Sequence, residues 1–418
     1  MYTLDPRYDY IKPDLIVIGE KVSYKYEISR YIRSSRGKPI LFKNIVLPSG
    51  ELSQYPVIAN LAGSREIIAR YFRIDVDKLA YYMMDAYKNP SKPRVTAPDE
   101  YLILEPNLDI LPIAEHYRGE AGRYITASIV IAEDPEYGLN ASYHRMLQLS
   151  RDKLVARVVP RHLHLYIERG VKDVAICIGN TPEILVAAAM SPPLGVSEMD
   201  IANSLKPIKL VDFDGVIGAP SEIVLVGRFT GERHREGPFV DVTGTYDIVR
   251  MEPVIKIERM YIRENAFYHD ILPADHEHKI LMGYSRVPSI LNALLDVGID
   301  VKDIYLTPGG ASWLHCIIKI RKTSEDDPKK AIDAAFKAHR SLKMVIVVDE
   351  DIDIYDWESV EWALATRVQP DRDVYIYRNV RGSSLDPSAD QVTRLTSKWG
   401  IDATIPDPSR KRDFMRVV

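Results

Sequence analysis

Cysteine is nearly absent from this chain of 418 residues. There are two, Cys177 and Cys316, each inside an apolar run, VAICIG and WLHCIIKI. Isolated thiols so placed exclude a disulfide framework and a CxxC metal site, and read as small buried hydrophobes in a reducing compartment. Long hydrophobic runs are missing as well. Nowhere do about 18 apolar residues follow one another, and the N-terminal MYTLDPRYDYIKPDLIVIG has no basic stretch leading into an apolar one, so neither an anchor nor a secretory leader is expected. A basic excess is also lacking. With 55 Lys and Arg against 59 Asp and Glu, the formal net charge is -4, which gives no electrostatic footprint for nucleic acid. No GxGxxG after a strand, no Walker sequence and no GxSxG elbow occurs, which removes the commonest dinucleotide, nucleotide and serine-hydrolase readings. The expectation is a cytoplasmic protein with no membrane and no nucleic-acid partner.

What is present is an ordinary globular composition, 46% hydrophobic and 27% charged, long enough for two or three well-developed cores. Residues 1–105 alternate strands (LIVIG, PILFKNI) with helices (SREIIARYFRI, VDKLAYYMMDAYKN), the first opened by Ser64 as N-cap, and read as an N-terminal α/β domain that ends in the Pro-rich NPSKPRVTAP. Residues 106–275 are richer in strands, with turn signals at short intervals that suggest a barrel or curved sheet. Helices are expected there from Pro160 to Arg169, stopped by Gly170, and from Ser197 to about Leu205. From 276 to 395 the βαβ alternation returns, including one long helix EHKILMGYSRVPSILNALLDV, and residues 396–418 close a Pro-, Ser- and Asp-rich tail that reads as an arm.

The chemistry concentrates in EGPFVDVTGTY, residues 236 to 246. Glu236 and Asp241 stand five apart around a Gly237-Pro238 turn. Two acids held to one pocket titrate apart when one has a cation beside it, so that one stays ionised while the other carries a proton. The ordinary alternative is a solvated hairpin with two surface acids. Arg145, Arg157 and Arg161 are the cations at hand, and Arg145 is a candidate partner for either acid or for a substrate carboxylate. Asn140, His162 and Glu198 supply an amide oxygen, an imidazole and a carboxylate, a set suited to Mn²⁺ or Mg²⁺. Spacing alone does not separate it from unrelated surface residues. The acid run Asp349, Glu350, Asp351, Asp353 and Asp356 lacks the glycine and terminal glutamate of an EF-hand, so Asp356 is expected to cap the helix that follows.

Taken together, YPVIANLAGSREIIARYF, NASYHRM, VSEMDIANSLKP, SEIVLVG, EGPFVDVTGTY, VIVVDEDIDIYDWESVEWALATR and SKWGIDAT resemble, in order and over most of the chain, the UbiD family of decarboxylases. The resemblance implies an α+β fold with a central split β-barrel, related to flavin reductases, flanked by an N-terminal and a C-terminal α/β domain. It implies prenylated FMN as cofactor, Mn²⁺ or another divalent metal bridging its phosphate to the protein, and K⁺ as a further candidate ion. It also implies a flavin prenyltransferase of the UbiX type as cofactor supplier and a homo-oligomer, dimer or hexamer.

On that pattern Asn140, His162 and Glu198 match the metal ligands, with His164 as an alternative to His162. Tyr143, His144, Arg145, Arg157, Val158, Val159, Met190 and Glu198 match cofactor-binding positions. Arg145, Glu236 and Asp241 match the family's catalytic triad, with Asp241 as proton donor. Val240 stands where a glycine is usual. Among substrates, the resemblance favours trans-anhydromevalonate 5-phosphate, with Arg161 and His164 as loose candidates for its phosphate. An aromatic acid such as 4-hydroxy-3-polyprenylbenzoate is the alternative, and a flavin-binding protein without decarboxylase activity is the reading of another class.

Overall fold

The computed structural model describes residues 4–416, which fall into two compact units. The first comprises the chain up to Val76 together with Asp85–Leu281, and the second comprises Asp77–Met84 together with the chain from Met282 onward.

A nine-stranded sheet organises the first unit. Its strands run in the order Tyr124–Ile125, Met146–Gln148, Lys153–Ala156, Arg250–Arg263, Ile223–Glu236, Asp173–Ile178, Ile129–Asp134 and Gly138–Tyr143, with Tyr101–Leu104 pairing off this path against Arg250–Arg263. The ladders are antiparallel. The α+β class is as expected, and among the described residues the path of the sheet expected as a split β-barrel does not close on itself. Ile223–Glu236 shows why the sequence folds this way. Its first half, IVLVG, is buried, the polar GERHR stretch that follows runs out into solvent, and Glu236 at the end returns to full burial. An apolar start holds the strand in the core, and the returning acid requires a partner.

The N-terminal and central segments, read from the sequence as parting near 105, share one hydrophobic core that includes Val22, Ile28, Phe42, Val130, Ile176, Ile255 and Leu272. They also share a four-stranded sheet, in which Tyr268–His269 completes Ile16–Ser23, Ile40–Val46 and Val57–Ala59. Ser64 caps the helix Arg65–Phe72 as expected, its Oγ accepting from Ile67 N at 3.3 Å. Ser197 does the same for Glu198–Leu205, accepting from Met199 N at 3.1 Å. The helix expected from Pro160 begins at His162, and Gly170 follows its end with φ +97°. This helix, Glu198–Leu205 and Pro182–Ala189 all pack on the edge strand Gly138–Tyr143.

The second unit is built on a five-stranded sheet in the order Asp300–Leu306, His315–Arg321, Met344–Asp349, Leu395–Ala403, Val374–Arg381, parallel at its centre and antiparallel at both edges. Two expectations are corrected here. The long helix from 276 is two helices, His276–Tyr284 and Val287–Asp296, because Pro288 has no N–H to give and fits only a first turn. The tail beginning at 396 is not an arm, since Leu395–Ala403 lies paired on both sides within the sheet. The acid run is an ion-pair cluster. Buried Arg367 bonds Asp349 at 3.3 Å and Asp351 at 2.5 Å, while Asp356 caps Trp357–Arg367 by accepting from Glu358 N and Ser359 N.

Candidate active site

Arg145 follows the edge strand Gly138–Tyr143 and points its guanidinium at the hairpin 236–247. Nε and Nη2 bond the two oxygens of Glu236 at 2.9 and 3.0 Å, the fork-on-fork geometry of a strong ion pair. Nη1 donates to Asp241 Oδ2 at 3.1 Å, and Nη2 donates also to Asp247 Oδ2 at 2.8 Å. Phe239 covers the guanidinium from 4.5 Å, a cation–π contact. Glu236 is fully enclosed, whereas the Asp241 side chain is 22% exposed, so of the pair predicted from the sequence it is Asp241 that a ligand can reach. Burial opposes the charge on Arg145, but the bonds and charges of Glu236, Asp241 and Asp247 outweigh it and hold the guanidinium protonated.

The hairpin is held from below by residues the sequence did not single out. Tyr124 donates to Glu236 Oε1 at 3.2 Å and accepts from Gly237 N at 3.1 Å. Glu120 accepts from Val240 N at 3.2 Å, Ala121 N donates to Pro238 O at 3.0 Å, and the Tyr246 hydroxyl donates to Arg118 O. Gly237 has φ +91°, and a Cβ there would meet Ile248 O at 3.2 Å, so glycine is required. Val240 is extended opposite Tyr246, with no left-handed backbone, and its β-branched side chain suits this strand position. His278 is a further residue missed. Its Nδ1 accepts from Ala274 N at 3.1 Å, which leaves the proton of the neutral ring on Nε2. Burial lowers its affinity for a second proton, opposed by the charge of Asp241 and reinforced by that of Arg145.

A second cluster lies on the same edge strand. Asn140 Nδ2 donates to both oxygens of Glu198 at 3.2 Å, and Ala141 N donates to Oε2 at 2.8 Å. Both side chains are buried, and no cation pairs with Glu198 among the described residues, so burial pushes its carboxyl up to about 8. A buried acid with amide donors and no counter-charge fits a divalent cation. His162 opens the helix packed on this strand, and burial followed by the charge of Arg161 keeps its imidazole neutral, the form that ligates. His164 pairs instead with Glu168 at 3.4 Å along its own helix. Among the described residues no three His, Cys, Asp or Glu side chains come together as a metal-holding group. The structure therefore joins Asn140 to Glu198 and leaves His162 on the neighbouring element.

Of the remaining predicted positions only Tyr143 lies in a strand; His144 directly follows it, Arg157 to Val159 follow the strand Lys153–Ala156, and Met190 and Arg161 flank helices. Arg157 Nη1 bonds Glu252 at 2.6 Å, and Val158 N donates to the same carboxylate at 3.2 Å. Val159 is exposed, Tyr143 donates to Leu185 O at 3.1 Å, and Met190 is buried at the end of Pro182–Ala189. His144 is tied on both ring nitrogens, to Arg157 O at 2.8 Å and Ser142 Oγ at 2.9 Å, and burial lowers it to about 4. Arg161 reaches Ser191 Oγ at 3.3 Å.

Family models for the 3-octaprenyl-4-hydroxybenzoate carboxy-lyase match almost the whole chain: the N-terminal domain over residues 12–87, the Rift-related domain over 92–276 and the C-terminal domain over 279–403. The chain belongs to the UbiD family of decarboxylases. It is 42% identical to the anhydromevalonate phosphate decarboxylase of Methanothermobacter thermautotrophicus, covering 98% of both chains. Among solved UbiD structures it resembles the UbiD-class enzyme HmfF from Pelotomaculum thermopropionicum in complex with FMN, with 35% identity, a TM-score of 0.92 and coverage of 97% of this chain and 94% of that one. An evolved dimeric form of the same enzyme in complex with prFMN superposes with a TM-score of 0.87 at 35% identity, over the same shares of the two chains.

Proposed function

We propose that this UbiD-family chain is a prenylated-FMN-dependent carboxy-lyase that converts trans-anhydromevalonate 5-phosphate to isopentenyl phosphate and CO₂, a step of isoprenoid synthesis in a mevalonate pathway. The observation that carries the reaction is Arg145 gripped by enclosed Glu236 and touching the accessible Asp241. The substrate rests on the near full-length similarity to the archaeal phosphate-ester decarboxylase.

Prenylated FMN, when bound, supplies the sink for the electron pair released with CO₂. Arg145 orients the substrate carboxylate by a charge-assisted hydrogen bond. Glu236 fixes the plane of the guanidinium and keeps it charged. Asp241 is the proton donor to the carbon that CO₂ has left. Asn140, His162 and Glu198 would hold Mn²⁺, and the uncompensated burial of Glu198 supports that assignment. Tyr143, His144, Arg157, Val158, Val159 and Met190 form the neighbouring wall for the cofactor. A flavin prenyltransferase of the UbiX type as cofactor supplier and assembly into a dimer or hexamer complete the reading, with K⁺ as an added ion. A cytoplasmic location belongs to the same proposal; separately, no described helix is long and apolar enough to cross a membrane.

The test is CO₂ release by protein reconstituted with prenylated FMN and Mn²⁺, on trans-anhydromevalonate 5-phosphate beside a cinnamate-type and a hydroxybenzoate-type acid. Turnover of the phosphate ester is expected. Turnover confined to an aryl acid would move the substrate to the aromatic branch, and silence on all three with cofactor bound would leave a flavin-binding protein.

A further inference from the structure

Asp247 is the third carboxylate on Arg145, and neither its spacing nor the predicted triad pointed to it. A guanidinium has five N–H bonds in a fixed fork. On Arg145 four of them are engaged: Nε with Glu236, Nη2 with Glu236 and with Asp247 at 2.8 Å, and Nη1 with Asp241. One N–H, on Nη1, remains for a ligand. Asp247 is itself anchored against leaving. Its Oδ2 takes Arg250 Nη1 at 2.7 Å, its Oδ1 takes Ile248 N at 2.9 Å, and Arg157 Nε stands 3.9 Å away. Burial would raise its carboxyl, but the bonds from Arg250 and Arg145 outweigh that and hold it below the usual carboxylate range, so it stays ionised at neutral pH.

We propose that Asp247 is a positioning residue that occupies Nη2 of Arg145 and so confines an incoming substrate carboxylate to a single N–H. The inference rests on the decarboxylase reading, because it concerns how Arg145 meets a carboxylate. A two-point grip on Nη1 and Nη2 would bind the acid tightly while it is still an acid, and that interaction is lost when CO₂ departs, so it deepens the ground state and slows the reaction. A one-point grip orients the group and lets it go. Asp247 thereby trades affinity for turnover. It also ties Arg145 to Arg250 and Arg157 through one carboxylate, so the catalytic arginine and the predicted cofactor wall are positioned together.

The experiment uses the FMN-loaded protein and the inert probe 3-methylbut-2-enoate, with binding followed by titration calorimetry. D247N keeps the side chain's volume and weakens its hold on Nη2. The probe is expected to bind roughly threefold to tenfold tighter, the scale of one weakened charge-assisted bond. E232Q, which removes an exposed acid from the outer part of the strand that ends in Glu236, is expected to leave probe affinity unchanged. On the phosphate-ester substrate, with prenylated FMN, D247N is expected to lower KM and kcat together. Unchanged or weaker probe binding by folded D247N, equal tightening in E232Q, or a raised KM with a lowered kcat would each overturn the proposal. Absence of turnover in the unmodified protein would instead count against the decarboxylase reading, and the probe titration would still decide the role of Asp247.

Discussion

Two charged clusters beside one edge strand, Gly138–Tyr143, solve the burial of acids in opposite ways. Around Arg145, three carboxylates share a guanidinium, Arg250 and Arg157 stand behind Asp247, and the geometry is complete without any ligand. Around Glu198, a buried carboxylate has only amide donors and its proton affinity climbs accordingly. The first cluster is preorganised, which is what orienting a substrate and moving a proton need. The second is poised for a cation. On the proposed function, the contrast would separate residues that act on substrate from residues that hold a group in place, and it can be broken from either side.

The largest effect is expected from Arg145→Ala, which leaves Glu236 enclosed and unpaired. Removing one partner of a buried pair costs about 3–5 kcal/mol, to be read from urea denaturation, and turnover should vanish. Asp241→Asn is gentler on the fold. It should retain flavin, measured by absorbance after desalting, while kcat falls by roughly a hundredfold or more. If D241N kept its turnover, the proton-donor role would be lost. A drop in flavin content would instead make Asp241 part of the cofactor wall.

Glu198 offers the converse test. Its folded carboxyl is raised from 4.5 to about 8, so between those values the folded state binds more protons than the unfolded chain. Stability from this group is fully present below the unfolded value and is lost as pH rises through the folded one. Metal-free protein should therefore weaken from about pH 4.5 towards pH 8 relative to Glu198→Gln, whose difference curve isolates this one titration. Added Mn²⁺ should remove the weakening in the unmodified protein and do nothing for E198Q. A parallel pair of stability curves with and without Mn²⁺ would show that the acid is satisfied by Asn140 and Ala141 alone.

The sequence made some of this legible and hid the rest for physical reasons. Ser64, Ser197 and Asp356 were readable as caps because a cap is a local device. Glu236 and Asp241 were readable because the Gly-Pro turn fixes them together. Asp247 was missed although it lies one residue beyond that stretch. The hairpin register sets Val240 opposite Tyr246 and Phe239 opposite Asp247, which brings Asp247 beside the ring that covers Arg145. Reading the register about a three-residue loop, Val242 to Gly244, closed by Asp241 N donating to Thr245 O, would have found it. Glu120 and Tyr124 carry no such signal, for their link to the hairpin crosses more than a hundred residues. The strand Leu395–Ala403 was hidden because Lys398 is buried and Trp399 is exposed there, against the usual alternation.

Gly237→Ala sharpens the comparison within the first cluster. A Cβ in the left-handed region, 3.2 Å from Ile248 O, should cost about 1–3 kcal/mol and shift the turn that carries Asp241, so kcat should fall more than stability alone explains, with Mn²⁺ affinity unchanged. Ser197→Ala is the smallest change and touches only the second cluster. It removes the acceptor for Met199 N at the start of the helix whose first residue is Glu198, at a cost of about 1 kcal/mol. Because that turn positions the carboxylate, Mn²⁺ affinity should weaken by a few fold while D241-dependent turnover at saturating metal stays as it was. A change in kcat at saturating metal would mean that the two clusters are not separable, and that the helix bearing Glu198 also sets the place of Arg145 through their common strand.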